Sequence, residues 1–451
     1  MRPYLKLLSL ALLFLLAGAA GAQTARSMRI DMKETRLPNG LRVITVEDHN
    51  APVIAIDITY NVGSRDERKG RTGFAHLFEH MMFKGSENVG TGEHFYLVFN
   101  NGGNMNGTTN EDRTTYFEAL PSNQLDLALF LEADRMRSLV INKANLDNQR
   151  NAVQEERRLG VDNQPYGQSG EVLQGLIYDN FAYKHTVIGS MDDLNAATVE
   201  DVAAFFKTYY APNNAVLTLV GDFNTAEAVK KIKENFSNIP RQPDPPPVDM
   251  TEPEQKAERR AAVDDALARL QQIDIAFKAV PGNTADFYAL QVLSAALQGG
   301  QSSRLYQTLV KDKQLVTSIV GFIDEKRGTG AFYISATVRQ GVKPADVEAA
   351  IYDEIERVKK EGVADWEIQK AKNTTRRNYI NSMQSSLSRA INLSVWTVYY
   401  NDPNLINTRL DKVSAVTKAD VLRVANKYLT AANRTVVITN PKKAAPAAAG
   451  Q

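Results

Sequence analysis

The sequence predicts an α+β fold of two homologous domains in tandem. Three observations carry this: motifs that recur across the two halves, period-two apolar runs followed by helical patterns in each half, and a proline-rich break between them. Thr198-Val199-Glu200-Asp201-Val202, then Tyr209, Asn214 and the strand-like run 215–220, return as Thr417-Lys418-Ala419-Asp420-Val421, Tyr428, Asn433 and the run 435–438. The spacing holds at 219 residues, as from Thr198 to Thr417. Residues 54–60 and 271–277 correspond as well, and both alternate as half-buried strands do. The break falls at 239–247, a run with five prolines that reads as a semi-rigid spacer.

In chain order, residues 1–22 read as a secretory signal peptide. Arg2 and Lys6 precede an apolar run at 7–16, and Ala20-Gly21-Ala22 has the form of an A-x-A cleavage site. The expectation is an exported, periplasmic chain with no membrane span after the leader. Taking Arg2 and Lys6 from a formal net charge of +1 leaves about −1, and no basic patch argues for nucleic acid. With no cysteine, the chain uses neither disulfides nor thiolate ligands. Its length asks for more than one core. The expected layout is an N-terminal catalytic domain at 23–240, a linker at 241–258, a homologous domain without metal at 259–440, and an alanine-rich disordered tail at 441–451.

The chemistry concentrates at Gly73-Phe74-Ala75-His76-Leu77-Phe78-Glu79-His80-Met81-Met82-Phe83, which holds two of only five histidines. Residues four apart stack on one face of a helix, so His76 and His80 reach one metal ion. A catalytic zinc takes about three protein ligands and keeps a position for water. Glu79, beside the histidines and not needed as a ligand, is the candidate base that takes a proton from that water. The order His-x-x-Glu-His is the inverted form of the usual zinc-peptidase signature.

A third ligand has to come from farther on. Residues 102–109 and 114–120 read as a glycine-containing hairpin or as a strand bordering the site and able to pair with an extended peptide. Residues 125–139 and 145–160 read as helices. On the second, Leu146, Gln149, Ala152, Val153, Glu156 and Leu159 share a stripe, which puts Glu156 on a face otherwise turned to the core. A carboxylate there needs a partner, either zinc or a neighbouring arginine. The helix at 287–297 in the second half has no histidine or glutamate, so the metal belongs to the first half alone. His49, His94 and His185 read as surface or hydrogen-bonded residues outside any ligand set, and Phe95, Tyr96 and Phe99 as core.

With these residues in place, the chain resembles the pitrilysin or insulinase-type zinc peptidases, in their short, processing-peptidase-like branch. His76, Glu79 and His80 match the inverted motif, Asn151-Ala152-Val153-Gln154-Glu155-Glu156 matches the segment of the third ligand, and Asn106-Gly107-Thr108-Thr109 matches the substrate-binding edge strand. The resemblance implies zinc on His76, His80 and Glu156, Glu79 as general base, substrate backbone along Asn106 and Gly107, and Gln149 as the support of the third ligand where relatives often have glutamate. It implies mainly antiparallel sheets covered by helices, and two subunits closing like a clam shell around a peptide. Relatives carry an arginine and a tyrosine after the segment corresponding to residues 301–309; Val310 and Thr317 stand there in this chain. The expectation is therefore a zinc-bearing subunit of a heterodimer whose partner supplies that pair, ahead of a homodimer using other residues. The competing expectation is a non-catalytic exported subunit that binds peptides or serves assembly.

Overall fold

The computed structural model describes residues 29–442. The signal peptide expected at 1–22 and all of the expected tail beyond Lys442 lie outside the described residues. Of Met1–Asp31, a unit separate from the rest, the described part has Arg29 and Asp31 exposed and 3.9 Å apart.

From Met32 onward the strands fall into two sheets. The first contains β1 (Lys33–Arg36), β2 (Arg42–Glu47), β3 (Val53–Tyr60), β4 (Asn104–Thr109), β5 (Thr114–Pro121) and β6 (Ala215–Gly221), in the order β1-β2-β6-β3-β5-β4. The second contains β7 (Arg259–Asp265), β8 (Gln272–Lys278), β9 (Val316–Ile323), β10 (Ala331–Val338) and β11 (Arg434–Pro441), in the order β7-β11-β8-β10-β9. Each is antiparallel but for one pair, β2 with β6 and β7 with β11. The registers repeat too: Asp57 stands opposite Thr218, and Asp274 opposite Val437. The sheets are thus two copies of one pattern, α+β and mostly antiparallel as expected. Residues 241–258, between them, form neither helix nor strand.

Among the helices of the described residues, those that bear on the site and on the covering of the sheets are α1 (Phe74–Met81), α2 (Glu93–Asn100), α3 (Leu125–Ser138), α4 (Lys143–Arg157), α5 (Gly167–Ile177) and α6 (Val199–Tyr209) in the first half, and α7 (Ala285–Gln298), α8 (Ser386–Tyr400) and α9 (Lys418–Tyr428) in the second. Ile54, Ile56 and Ile58 of β3 face a core shared with Leu77, Phe78 and Met81 of α1 and Leu129 of α3. Helix α7 is the counterpart of α1 and packs with Ile273, Ile275 and Phe277 of β8 in a second core.

The strand at 54–60 is not half-buried as its alternation suggests, because every residue from Ile54 to Tyr60 is buried. The second face of that sheet is covered by α8, from the other half of the chain. Ser394 of α8 donates to Thr218 Oγ1 at 2.7 Å, and Arg389 of the same helix pairs with Asp48. The exchange is mutual. Leu173 and Ile177 of α5 pack on Ala276, Ala331 and Val437 of the second sheet, and Arg259 of β7 donates to the Leu176 carbonyl at 2.7 Å. Helices α5 and α8 begin at Gly167 and Ser386, the same 219-residue spacing as the repeat, so each copy lends its equivalent helix to the other copy's sheet.

Candidate metal centre

Helix α1 is short, and its start is fixed by contacts from outside. Gly73 precedes it at φ 85°, a left-handed conformation that glycine adopts without a Cβ clash. The buried carboxylate of Glu67 accepts the Gly73 and Ala75 N–H groups at 2.9 and 2.8 Å, which sets a negative group at the positive end of the helix. His185 Nε2 lies 3.0 Å from that carboxylate, and its ring stacks on Phe181. Leu77, Phe78 and Met81 turn to the core, with the Phe78 ring 4.2 Å from Tyr210. That leaves the face bearing His76, Glu79 and His80 for α4 and β4.

In the last turn of α4, Glu156 Oε2 lies 3.7 Å from His76 Nε2 and 3.3 Å from His80 Nε2. The two ring centroids are 4.8 Å apart. Ligand atoms about 2.0–2.1 Å from a tetrahedral zinc sit about 3.4 Å from one another, so two nitrogens and one oxygen at these separations fit that ion. Burial, and then the neighbouring His80, press His76 down to about 4, which leaves its imidazole in the neutral, metal-binding form. The hydrogen bond with His80 holds the Glu156 carboxyl below its ordinary range.

Two expectations for α4 need correcting. Its buried side is Asn145, Leu146, Gln149, Val153 and Gln154, whereas Ala152, Glu156 and Leu159 are exposed, and the Glu156 side chain keeps 52% of its surface. Glu156 therefore does not sit on a core face; it is the passage of the α4 end beside α1 that brings its carboxylate to the histidines. Gln149 is buried, but its amide donates to its neighbour Asn148 at 2.5 Å and not to Glu156.

Strand β4 is the outer edge of the first sheet, paired only with β5. Gly107 lies against Glu79, where a Cβ would come within 3.0 Å of the Glu79 Cγ. Thr109, on the same face two residues on, donates to Glu79 Oε2 at 2.6 Å. Burial pushes the Glu79 carboxyl up, with the Thr109 bond opposing it. Asn106 is exposed and its side chain accepts the Gly107 N–H at 2.9 Å. His76, Glu79, Gly107, Thr108, Thr109, Glu156, Val187 and Ile188 line one open cavity of about 350 Å³. Sequence reasoning placed Thr109 in the edge-strand segment and missed its bond to Glu79, although period-two alternation from Gly107 points to it; for Val187 and Ile188 the sequence carries no signal. A cavity of about 370 Å³ between Glu67, Arg71, Phe74 and Asp201 holds no such donor set, since Asp201 is already paired with Arg68 and Arg71.

In the second half, Val310 packs against the second core and Thr317 is exposed on edge strand β9, its hydroxyl directed at the Thr337 carbonyl. Arg304 is tied to Glu367 at 2.5 Å and lies 3.6 Å from Glu354. His49 is exposed between Asp222 and Glu47. His94 departs from expectation: it is buried with Glu118 and Glu132, their donor atoms within 4.8 Å of one another. Phe95, Tyr96 and Phe99 are not core but exposed on α2, whose buried side is His94 and Val98.

The chain matches the family model described as Insulinase (Peptidase family M16) over residues 42–186 and the model described as Peptidase M16 inactive domain over residues 196–375. It is 31% identical over 431 residues to the zinc protease PqqE of Helicobacter pylori, covering 95% of this chain and 97% of that protein. The crystal structure of a protease from Helicobacter pylori superposes with a TM-score of 0.87 at 30% identity, over 92% of this chain and 100% of that one. The periplasmic protease PqqL of Escherichia coli shares the fold at 18% identity and a TM-score of 0.74, with 92% of this chain matching 48% of that one. Both sheets, the helices between them and a donor set suited to zinc thus sit in a chain with end-to-end similarity to a zinc protease, and the chain belongs to the insulinase family of peptidases, M16.

Proposed function

We propose that this chain is a zinc-dependent endopeptidase or oligopeptidase, with the metal on His76, His80 and Glu156 and Glu79 as general base. The observation that carries the reading is the meeting of three zinc-spaced donor atoms with a fourth, unliganded carboxylate beneath an open strand edge. A zinc ion in such a site acidifies water and polarises a carbonyl. The chain's own residues do the rest. The free edge of β4 at Asn106 and Gly107 pairs with an extended peptide backbone and fixes its depth. Glu79, kept from bulk water, takes the proton from the attacking water and returns it to the leaving amine. The absent side chain of Gly107 leaves room for Glu79 beneath the strand.

The reading includes a related partner subunit. Neither Val310 nor Thr317 offers a positive charge or a phenol to a developing oxyanion, and a relative about twice this length contains the fold in half of its chain. A heterodimer in which the partner brings an arginine and a tyrosine closes that gap. Export to a periplasm follows from the leader-like residues 1–22, and no helix among the described residues is long and apolar enough to cross a membrane. The division into domains at 23–240 and 259–440 belongs to the same proposal. A second reading, a peptide-binding subunit without turnover, is favoured by the same residues 310 and 317.

The test is hydrolysis of a quenched fluorescent peptide library by the zinc-loaded chain, with a chelator control and the Glu79→Gln variant. Chelator-sensitive cleavage that disappears in Glu79→Gln while zinc stays bound supports the peptidase. Turnover near the wild-type rate in Glu79→Gln removes Glu79 as the base. Silence of the zinc-loaded chain, alone and with any subunit co-purified from its source, favours the binding subunit.

A further inference from the structure

We propose that Thr109 is a positioning residue for the Glu79 carboxylate, and that the second half of the chain holds Thr109 in place through Tyr399. The proposal rests on the reading of Glu79 as the base.

Glu79 meets β4 in two places. Its Oε2 accepts the Thr109 hydroxyl at 2.6 Å, and its Cγ and Oε1 lie where a Cβ on Gly107 would approach within 3.0 and 3.2 Å. Residues 107 and 109 share one face of the strand, so the carboxylate rests on a bare Cα and is hooked by one hydroxyl. Thr109 has one proton to give. Thr114 Oγ1 is at 3.4 Å and itself donates to the Val62 carbonyl, so the proton goes to the nearer, charged acceptor. Oε2 is thereby engaged, and Oε1 is the oxygen left for chemistry. A carboxylate without that hook turns about its terminal torsion, which is broad and roughly two-fold.

The hook is itself anchored. Thr109 pairs with Thr114 across the hairpin, and Asn110 closes the turn by donating its N–H to the Arg113 carbonyl at 3.0 Å. The Asn110 side-chain oxygen accepts the Asp112 and Arg113 N–H groups at 2.8 and 2.9 Å. Its amide nitrogen donates to the Tyr399 hydroxyl at 2.8 Å, and Tyr399 is on α8, the helix lent by the second half. Two more links to that half hold the same turn: Arg327 N–H to Asp112 at 2.8 Å, and Lys326 Nζ to Glu111 at 3.0 Å. The half without metal thus reaches the reacting carboxylate through Tyr399, Asn110 and Thr109.

Crystal structures of zinc-loaded Thr109→Val, Thr109→Ser and Tyr399→Phe, with zinc content, kcat and KM on a quenched peptide, decide the matter. Valine keeps the shape of threonine and removes the hydroxyl. The expected result is one zinc per chain, KM within about twofold, kcat lower by about 10- to 100-fold, and a Glu79 carboxylate turned away from or split about its original position. Serine restores both the kcat and the orientation. Tyr399→Phe is expected to lower kcat by about threefold to tenfold with the turn at 110–113 shifted. Thr109→Val with an unmoved Glu79 overturns the positioning role, as does Thr109→Ser impaired as much as valine, because the methyl group would then be what matters. Tyr399→Phe with wild-type kcat and an unmoved turn overturns the part assigned to the second half. Glu79→Gln that retains turnover defeats the reading of the base, while the orientation of Glu79 in Thr109→Val still decides the positioning.

Discussion

Replacing Glu118 by glutamine should make this protein more stable, not less. Glu118 sits on β5 opposite Met105, almost wholly buried, and both of its carboxylate oxygens lack a hydrogen-bond partner. The nearest base, His94 Nε2, is 3.8 Å away, and the nearby Arg135 is already bonded to Glu132 and lies over the Tyr116 ring. Burial pushes Glu118 up to about 8, with the charge of Arg135 opposing, and pushes His94 down to about 3. At neutral pH the fold therefore holds Glu118 protonated, while the unfolded chain releases that proton near 4.5. A carboxyl whose pKa is raised by folding leaves stability at its full value below about 4.5; stability then declines by about 1.4 kcal/mol per pH step and levels off above about 8. By pH 7 the ceiling of that loss is about 3 kcal/mol. Glutamine keeps the shape and carries no charge in either state, so Glu118→Gln should be more stable at pH 7 by about 1–3 kcal/mol and nearly equal to wild type at pH 4.5. Urea unfolding at pH 4.5, 6, 7 and 8 measures it. A destabilised variant at pH 7, or a wild type whose stability does not fall over this range, refutes the reasoning. Glu118 would then be ionised and matched by a cation shared with His94 and Glu132, and added zinc would raise the unfolding midpoint of the wild type further.

Three other perturbations test separate parts of the structure. Glu156→Gln should weaken zinc binding by at least the roughly 10- to 100-fold typical of an outer partner, as read by zinc competition against a chromophoric chelator; unchanged affinity would move the third ligand elsewhere. Asp112→Ala strips the acceptor from Arg65, Tyr183 and the Arg327 N–H in a buried site joining the two halves and should cost about 3–5 kcal/mol in urea unfolding; a loss under about 1 kcal/mol would show that those donors find other partners. At Asp286 burial works to raise the carboxyl, but bonds from Tyr428, Arg423 and Lys427 outweigh it and hold the group at about 2, against 3.8 unfolded. A depressed pKa contributes stability above about 3.8 that is lost as pH falls through about 2. Asp286→Asn should therefore be less stable than wild type by about 1 kcal/mol at pH 7, after allowing for the exposure of its cationic partners, and the gap should close between pH 4 and 2. A gap that stays constant with pH would mean that the ionised form is not favoured in the fold.

The helix bearing His76, Glu79 and His80 was legible because its signal is local: two histidines and a glutamate at helical spacing mark a candidate donor set before any tertiary contact is known. The duplication was legible for the same reason, since a repeat needs only the chain itself. What the sequence hid was which surface each helix covers. The segment at 54–60 alternates, yet α8 arrives from more than 300 residues away to bury its polar face, where Asp57 accepts from Thr59 and Thr115. Glu156 comes to the two histidines for a reason other than the expected one, since burial does not force it toward them. For Glu118 a signal was present: it is in phase with Tyr116 and Leu120, both buried, so alternation alone marks it as an inward acid. His94, on the buried side of α2, could not be matched to it from sequence, because their pairing depends on how α2 returns beneath the hairpin.

The exchange of α5 and α8 bears on why the second half is indispensable although its helix α7 has no donor set like that of α1. Helix α7, the counterpart of α1, is buried along most of its length and carries no histidine or glutamate, and its one charged residue, Asp286, is taken up by Arg423, Lys427 and Tyr428. On its buried side an unpartnered imidazole or carboxylate would be costly. Yet the second sheet cannot be dismissed from the first. Without α8 the first sheet would expose the Asp57, Thr59 and Thr218 face, and without α5 the second would expose Ala276, Ala331 and Val437. Each half supplies the apolar or hydrogen-bonding cover that the other's sheet lacks, which predicts one cooperative unfolding transition in place of two. The same geometry places the C-terminal end of α8 at the turn that follows β4. A duplicated chain that trades these helices thus gains a second point of support for edge strand β4, and substitutions in the second half should reach the candidate site through the 110–113 turn before they reach it through His76, His80 and Glu156.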